Sequence, residues 1–132
     1  IHGLKLLLAE DNELNAEIAE TLLTDAGAHV TIVKNGKKAV DCFEAAPPGT
    51  FDAILMDVMM PVMDGLAATR AIRAIPRVDA RQIPILAMTA NAFEEDARQC
   101  LAAGMNVHLA KPLQMDKVVA ALMECCGKKR DL

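Results

Sequence analysis

Two hydrophobic patterns alternate along this chain of 132 residues. Five short runs are almost entirely apolar, which is typical of buried strands covered on both faces. These runs span residues 4–9, 29–33, 51–56, 84–88 and 107–110. Between and after them, apolar residues recur at the spacing of amphipathic helices. Five helices are predicted in this way, over residues 13–26, 37–45, a segment ending at 72, 93–103 and 114–125.

The first helix has the most regular pattern. Its apolar residues recur every four positions until Gly27 ends the series, and they are Leu14, Ile18, Leu22 and Ala26. A stripe of this kind predicts an amphipathic helix with a glycine stop.

Strands that alternate with amphipathic helices predict an α/β fold, in which a five-stranded parallel sheet carries helices on both faces. The carboxyl ends of parallel strands lie at one edge of the sheet, and ligand sites form at that edge. Polar residues end or directly follow four of the five apolar runs. These residues are Glu10, Asp11, Asp57, Thr89 and Lys111. The sequence therefore predicts a polar site at this edge.

Composition narrows the class of protein. Apolar residues make up 53% of the chain, enough for the core of one domain spanning residues 1–132. Because the chain begins at Ile1 without a methionine, we expect it to be part of a longer protein. A net charge of −4 and an aromatic content of 2% argue against nucleic-acid binding. No apolar run approaches the ~18 residues of a membrane span, so we expect a cytoplasmic domain without membrane contact.

Three carboxylates at one edge would repel one another unless a cation or a proton compensates them. Carboxylate oxygens are hard ligands that suit Mg²⁺. With Mg²⁺ and Lys111, the charges of Glu10, Asp11 and Asp57 sum to zero, and this state would accept a phosphoryl donor. We assign Asp57 as the nucleophile that forms an acyl phosphate, since a carboxylate can attack phosphorus.

The neighbouring residues have supporting roles in this hypothesis. Asp11 and Asp57 would bind the metal, and Glu10 would contact it through water. Lys111 and Thr89 would each donate a hydrogen bond to a phosphoryl oxygen. Each residue alone has a simpler interpretation, since an acidic residue at a strand end is more often a turn former or a helix cap. Their combination at a single edge favours the phosphoacceptor hypothesis.

Five motifs resemble those of a known family. They are Glu10-Asp11-Asn12, residues 56–61, Met63-Asp64-Gly65, Met88-Thr89-Ala90 and Lys111-Pro112. In this order they resemble the response-regulator receiver domains of two-component signalling. The resemblance implies a flavodoxin-like, doubly wound sheet of order 2-1-3-4-5, a strand order already described for a member of that family. It also implies phosphorylation of Asp57 by a phosphohistidine, with Mg²⁺ bound by Asp11, Asp57 and the backbone carbonyl of Met59.

Residues 10–15, 88–92 and 102–105 are similar to the receivers of hybrid sensor histidine kinases. This resemblance implies a histidine kinase or a histidine phosphotransfer domain as the partner. It favours a hybrid kinase as the parent protein, which could itself be membrane-anchored, over a free-standing response regulator. The domain would be a phosphoacceptor with self-phosphorylation and dephosphorylation chemistry rather than a turnover enzyme, and a homodimer is left open.

Four residues depart from the usual pattern of the family. His108 stands where many members have Tyr or Phe, and it is either a polar edge residue or a titratable switch. Glu10 replaces the commoner Asp. Met59 and Asn91 occupy variable positions that influence the rate of dephosphorylation in the family, so the lifetime of phospho-Asp57 is left open.

Three other functions have part of this pattern. A hydrolase with an aspartate nucleophile usually has a second Asp two residues later, where this chain has Met59. A flavin-binding module needs a phosphate loop rich in Ser, Thr or Gly after the first strand, but residues 10–13 are mostly acidic. A degenerate receiver that acts only as a binding surface is disfavoured because Asp57, Thr89 and Lys111 are all present.

Overall fold

The computed structural model describes residues 3–89, 94–111 and 113–130. Within these ranges the strands are β1 (Lys5–Ala9), β2 (His29–Val33), β3 (Ala53–Asp57), β4 (Ile85–Thr89) and β5 (Val107–Ala110). All four neighbouring pairs are parallel, and the strand order is β2-β1-β3-β4-β5. The predicted flavodoxin-like sheet is therefore confirmed.

Six helices lie in the described part of the chain, one more than the five predicted. They are α1 (Glu13–Asp25), α2 (Gly36–Ala45), α3 (Gly65–Arg73), α4 (Val78–Gln82), α5 (Glu94–Ala103) and α6 (Met115–Arg130). The unpredicted helix is α4, whose five residues are too few to display a helical period. The predicted start of the fourth helix at Phe93 lies outside the described residues. None of the helices in the described ranges is long and apolar enough to cross a membrane.

The sheet separates two hydrophobic cores, as expected when strands are covered on both faces. Side chains of β1 alternate between them: Leu6 and Leu8 pack in the core under α1 and α6, whereas Leu7 packs in the core under α2, α3 and α5. Nearly all of these core side chains are aliphatic, in keeping with an aromatic content of 2%. The same alternation decides to which face of the sheet each site residue on a strand directs its side chain.

Helix α1 does not bury its regular apolar stripe. Leu14 is 64% exposed and Ile18 is 51% exposed, whereas Ala16, Ala19 and Leu23 are the buried residues. Alanine side chains let the helix lie close to the sheet, so the larger residues at four-residue spacing are on the outer side. The amphipathic helix is confirmed, but Leu14 and Ile18 of its apolar row face solvent, and Leu22 and Ala26 are only half-buried.

Gly65 at the start of α3 determines how the chain leaves β3. A Cβ atom at this position would lie 2.3 Å from the backbone oxygen of Asp57, so any larger residue would force the backbone apart. The Gly65 N–H also donates to the carbonyl of Val58 at 2.9 Å. This close approach fixes the loop that follows Asp57, and Asp64 caps α3 through a side-chain bond to the N–H of Ala67.

Candidate functional site

The carboxyl edge of the sheet brings the predicted acidic residues together. Glu10 and Asp11 follow β1, and Asp57 is the last residue of β3. One carboxylate oxygen from each of these three residues lies within 4.8 Å of the other two. Glu10 and Asp57 are only 3% and 4% exposed, whereas Asp11 is open to solvent. The cluster is therefore buried on one side and accessible on the other.

Lys111 connects two of the carboxylates. Its Nζ donates to Oε2 of Glu10 at 2.8 Å and to Oδ2 of Asp57 at 2.8 Å. This arrangement extends the sequence hypothesis, which placed Glu10 near the metal through water and did not connect it to Lys111. The longer side chain of Glu10 reaches the ammonium while its Oε1 accepts from the N–H of Asn12 at 3.2 Å.

Burial and charge set the protonation of this pair. Burial raises the pKa of Glu10; the hydrogen bond from Lys111 opposes that rise, and the proximity of Asp57 adds to it. Burial alone would lower the pKa of Lys111, but its hydrogen bonds with Asp57 and Glu10 outweigh burial and raise the pKa above its ordinary value. Lys111 is therefore charged at neutral pH, and one ammonium faces three carboxyl groups.

Backbone groups hold Asp57 in place. Its Oδ1 accepts from the N–H of Met59 at 3.2 Å, while Oδ2 is bound to Lys111. The N–H of Val58 donates to the carbonyl of Met88 on β4 at 3.1 Å. Both oxygens of the carboxylate are thus oriented, and residues 57–59 form a tight turn at the edge of the sheet.

The donor set fits a divalent cation. Three carboxylates supply hard oxygen atoms in one cluster, and the single positive charge of Lys111 does not balance them. Asp11 is the exposed member of the cluster, so an ion could reach it from solvent. The structure therefore supports a metal-binding capacity at the predicted position.

Thr89 has a different partner from the one expected. It is the last residue of β4, 5% exposed, and its Oγ1 lies 2.9 Å from Nε2 of His108 on β5. Sequence reasoning named both residues without relating them. Period-two alternation gives Thr89 and His108 the same face only in the observed register, in which Ala87 pairs with His108, so the sequence alone held no signal that relates them. Asn91, the other variable position, lies outside the described residues.

A cleft of about 340 Å³ opens beside the carboxylates. Its polar end contains Glu10 and Lys111, and its apolar wall is formed by Ile18, Leu22 and Leu113. The exposed row of α1 is therefore continuous with the site.

The strand order and this acidic edge define a class of protein: a flavodoxin-like α/β domain with an acidic site in place of a phosphate-binding loop. The family model for the response regulator receiver domain matches residues 6–123. The chain therefore belongs to the response regulator receiver domain family, and it is a receiver domain of two-component phosphorelay signalling.

Individual relatives agree with this assignment. Hybrid signal transduction histidine kinase I of Dictyostelium discoideum is 41% identical over 111 residues, which cover 83% of this chain and only 6% of that protein. The receiver domain of sensor histidine kinase PA1611 from Pseudomonas aeruginosa PAO1, solved with magnesium in its active-site cleft, is 43% identical with a TM-score of 0.84, and the match covers 95% of this chain and 98% of that chain. A chain of the complex between the Saccharomyces cerevisiae phosphotransfer protein Ypd1 and the receiver domain of Ssk1 is 26% identical with a TM-score of 0.86, covering 97% and 92% of the two chains.

Proposed function

We propose that this domain accepts a phosphoryl group on Asp57 from the phosphohistidine of a histidine kinase or a histidine phosphotransfer domain, in the cytoplasm. The observation that carries the proposal is the setting of Asp57, a buried carboxylate oriented by Lys111 and the N–H of Met59 beside two further carboxylates. A carboxylate used only as a turn former or helix cap does not need such an environment.

The residues of the chain account for each requirement of phosphoryl transfer. An oxygen of Asp57 attacks phosphorus, a P–O bond forms, and the P–N bond breaks with its electron pair leaving on the imidazole of the donor. Lys111, which now binds Oδ2 of Asp57 at 2.8 Å, is close enough to transfer a hydrogen bond to a phosphoryl oxygen. Orientation and charge compensation supply most of the acceleration in this chemistry.

Asp11, Asp57 and the backbone carbonyl of Met59 are the proposed ligands of Mg²⁺, with Glu10 contributing through water. When bound, Mg²⁺ supplies positive charge that offsets the carboxylates and the phosphoryl oxygens. The magnesium ion of the Pseudomonas receiver, in a chain 43% identical to this one, supports this proposal. In this proposal Asp11 contributes an exposed ligand and Asp57 a buried one.

The direct test uses a small phosphoryl donor. Incubated with phosphoramidate and Mg²⁺, the wild-type domain is expected to gain one phosphoryl group, measured by intact-protein mass spectrometry. Chelation of the metal is expected to slow the reaction at least tenfold, because the acidic cluster then repels the anionic donor. An unmodified protein, or labelling at the same rate in excess chelator, would contradict the proposed function.

We propose that the partner docks a helix on the exposed row of α1. Leu14 and Ile18 are apolar and exposed, and Ile18 also lines the cleft that contains Lys111. A histidine that donates its phosphoryl group to Asp57 must approach over this cleft, so the surrounding contacts belong to the donor domain. The complex of the yeast Ssk1 receiver with a histidine phosphotransfer protein supports this choice of partner.

Replacing Leu14 and Ile18 by serine is expected to slow transfer from a phosphorylated histidine phosphotransfer domain of the same organism about tenfold or more. Labelling by phosphoramidate should stay unchanged, since that donor needs no docking surface. Leu101→Ser on α5 is a matched control, because Leu101 is 60% exposed and Leu14 is 64% exposed. Equal losses with both donors would point to damage at the site itself and contradict the docking proposal.

A hybrid histidine kinase is the proposed parent protein. The chain corresponds to only 6% of the length of the Dictyostelium hybrid kinase, and the similar Pseudomonas receiver also comes from a sensor histidine kinase. A free-standing response regulator is the alternative. The sequence that adjoins residues 1–132 in the gene decides between them, since a kinase catalytic region upstream is expected only for the hybrid protein.

A further inference from the structure

Two exposed apolar side chains lie in the loop that follows Asp57. Met59 is 76% exposed and Val62 is 78% exposed, so neither side chain contributes to the core. The backbone of this loop is nevertheless fixed. Met59 donates its N–H to Oδ1 of Asp57 at 3.2 Å, and Gly65 closes the loop by donating to the carbonyl of Val58 at 2.9 Å. Met59 therefore has a fixed backbone and a side chain that extends into solvent.

Val62 adopts a conformation that β-branched residues rarely take. Its φ is +69°, and the N–H of Met63 donates to the carbonyl of Pro61 at 2.7 Å, which closes a γ-turn around Val62. Glycine would adopt this φ without strain. Strained residues are typical of functional sites, and the exposed side chain of Val62 offsets none of the strain by burial. Together with Met59 it forms an apolar rim beside the acceptor carboxylate.

Met59 differs from the other methionines in its exposure to solvent. All eight methionines lie in the described part of the chain. Met59 and Met123 are exposed, at 76% and 55%, and the other six are buried or half-buried. A peroxide oxidises a thioether to a sulfoxide, and burial restricts its access to the sulfur. The thioether that a peroxide reaches most readily is therefore two residues from Asp57.

We propose that Met59 is a reversible oxidation site that controls phosphoryl transfer from the donor domain to Asp57. A lone pair of Sδ attacks an oxygen of hydrogen peroxide, an S–O bond forms, and the O–O bond breaks with release of water. The sulfur is oxidised by two electrons and the peroxide is reduced. The inference rests on the proposed function, because it assigns the regulation of the same site.

The sulfoxide acts on the contact with the donor domain. Asp57 is only 4% exposed, so a donor histidine reaches it only when the donor domain covers the adjoining loop, including the apolar rim of Met59 and Val62. A thioether suits such a water-excluded contact, whereas a sulfoxide oxygen loses its hydration there without a matching donor. The backbone bond from Met59 to Asp57 is unaltered, and a small phosphoryl donor does not cover the rim.

The experiment compares two phosphoryl donors before and after oxidation. The domain is treated with hydrogen peroxide and then with dithiothreitol, which reduces disulfides and sulfenic acids and leaves methionine sulfoxide in place. Peptide mass spectrometry is expected to show the sulfoxide at Met59 before it appears at Met123. Transfer from a phosphorylated histidine phosphotransfer domain is expected to slow roughly fivefold, whereas labelling by phosphoramidate is expected to stay within about twofold.

Two substitutions identify the methionine responsible, and each variant is compared with its own untreated sample. Met123→Leu is the matched control, and oxidation is expected to slow its transfer as much as that of the wild type. Met59→Leu has no sulfur at this position, so its transfer is expected to change less than about 1.5-fold. Equal slowing of Met59→Leu and the wild type would overturn the proposal. An unchanged transfer rate in wild type that carries the Met59 sulfoxide would also overturn it.

Enzymatic repair of the wild type gives a readout that needs no substitution. Methionine sulfoxide reductase removes the oxygen as water, and a pair of thiols is oxidised to a disulfide in the same step. Transfer is expected to recover after repair, and persistent slowing would overturn the proposal. Equal slowing with both donors would place the damage at the site itself and would have the same consequence. An untreated wild type that neither donor labels would instead contradict the proposed function, so the two failures are distinguishable.

Discussion

Asp57→Asn is expected to abolish labelling by phosphoramidate in the presence of Mg²⁺. The amide oxygen of asparagine is a far weaker nucleophile than a carboxylate oxygen, and no stable acyl phosphate can form on an amide. Glu10 does not replace it, since its carboxylate is bound to Lys111 and the N–H of Asn12. The measurement is intact-protein mass spectrometry on both proteins under the same conditions.

Asparagine is the suitable replacement because it keeps the shape of Asp57 and an oxygen that can accept from Lys111. The variant should therefore be folded and show a cooperative thermal unfolding transition. Loss of labelling then cannot be assigned to unfolding. Asp41→Asn is the matched control, because Asp41 is exposed on α2 and its ion pair with Lys37 lies at the surface. Labelling of Asp57→Asn to the wild-type level would show that another residue is the acceptor.

The sequence predicted the framework of this site because the relevant signals are local. A strand that ends in an acidic or hydroxyl residue is visible in a window of a few positions, and parallel strands bring such ends to one edge. Asp57, Thr89 and Lys111 could be selected in this way. The strand order was not contained in those windows, and it was obtained from the family resemblance.

The features that the sequence did not predict depend on tertiary packing. The exposed row of α1 has the same period as a buried stripe, and only the fit of Ala16 and Ala19 against the sheet decides which face is inward. The contact of Lys111 with Glu10 joins residues 101 positions apart. The bond between Thr89 and His108 requires the register of β4 and β5, which no local pattern specifies. Helix α4 is too short to produce a periodic signal.

These contacts change the picture of the resting domain. Sequence reasoning assigned hydrogen bonds of Lys111 and Thr89 only to the phosphoryl group, but both side chains are hydrogen-bonded within the domain beforehand. Under the proposed function, phosphorylation of Asp57 would therefore exchange existing hydrogen bonds as well as form new ones. A ligand shifts a conformational equilibrium only through such differences between two states.

Lys111→Met is expected to destabilise the metal-free domain by about 2 kcal/mol. The substitution retains much of the aliphatic volume but leaves the buried carboxyls of Glu10 and Asp57 without their shared cation, and breaking such pairs costs ~3–5 kcal/mol when both partners are fully buried. The expected loss is smaller here because the Lys111 side chain is 23% exposed. Glu10, whose pKa is already raised by burial, also relieves part of the repulsion by taking up a proton.

Mg²⁺ is expected to restore most of the lost stability. This recovery shows whether Lys111 stabilises the domain by balancing charge or by packing. The variant pocket is more negative than the wild-type pocket, so it should bind the cation more tightly and gain more stability from the same Mg²⁺ concentration. Denaturant unfolding in chelator and in Mg²⁺ measures both effects. Lys34→Met is the matched control, because its pair with Glu13 is exposed and should contribute less than about 0.5 kcal/mol in either buffer. An equal loss for Lys111→Met in both buffers would mean that the lysine stabilises the domain by packing and not by balancing the carboxylates.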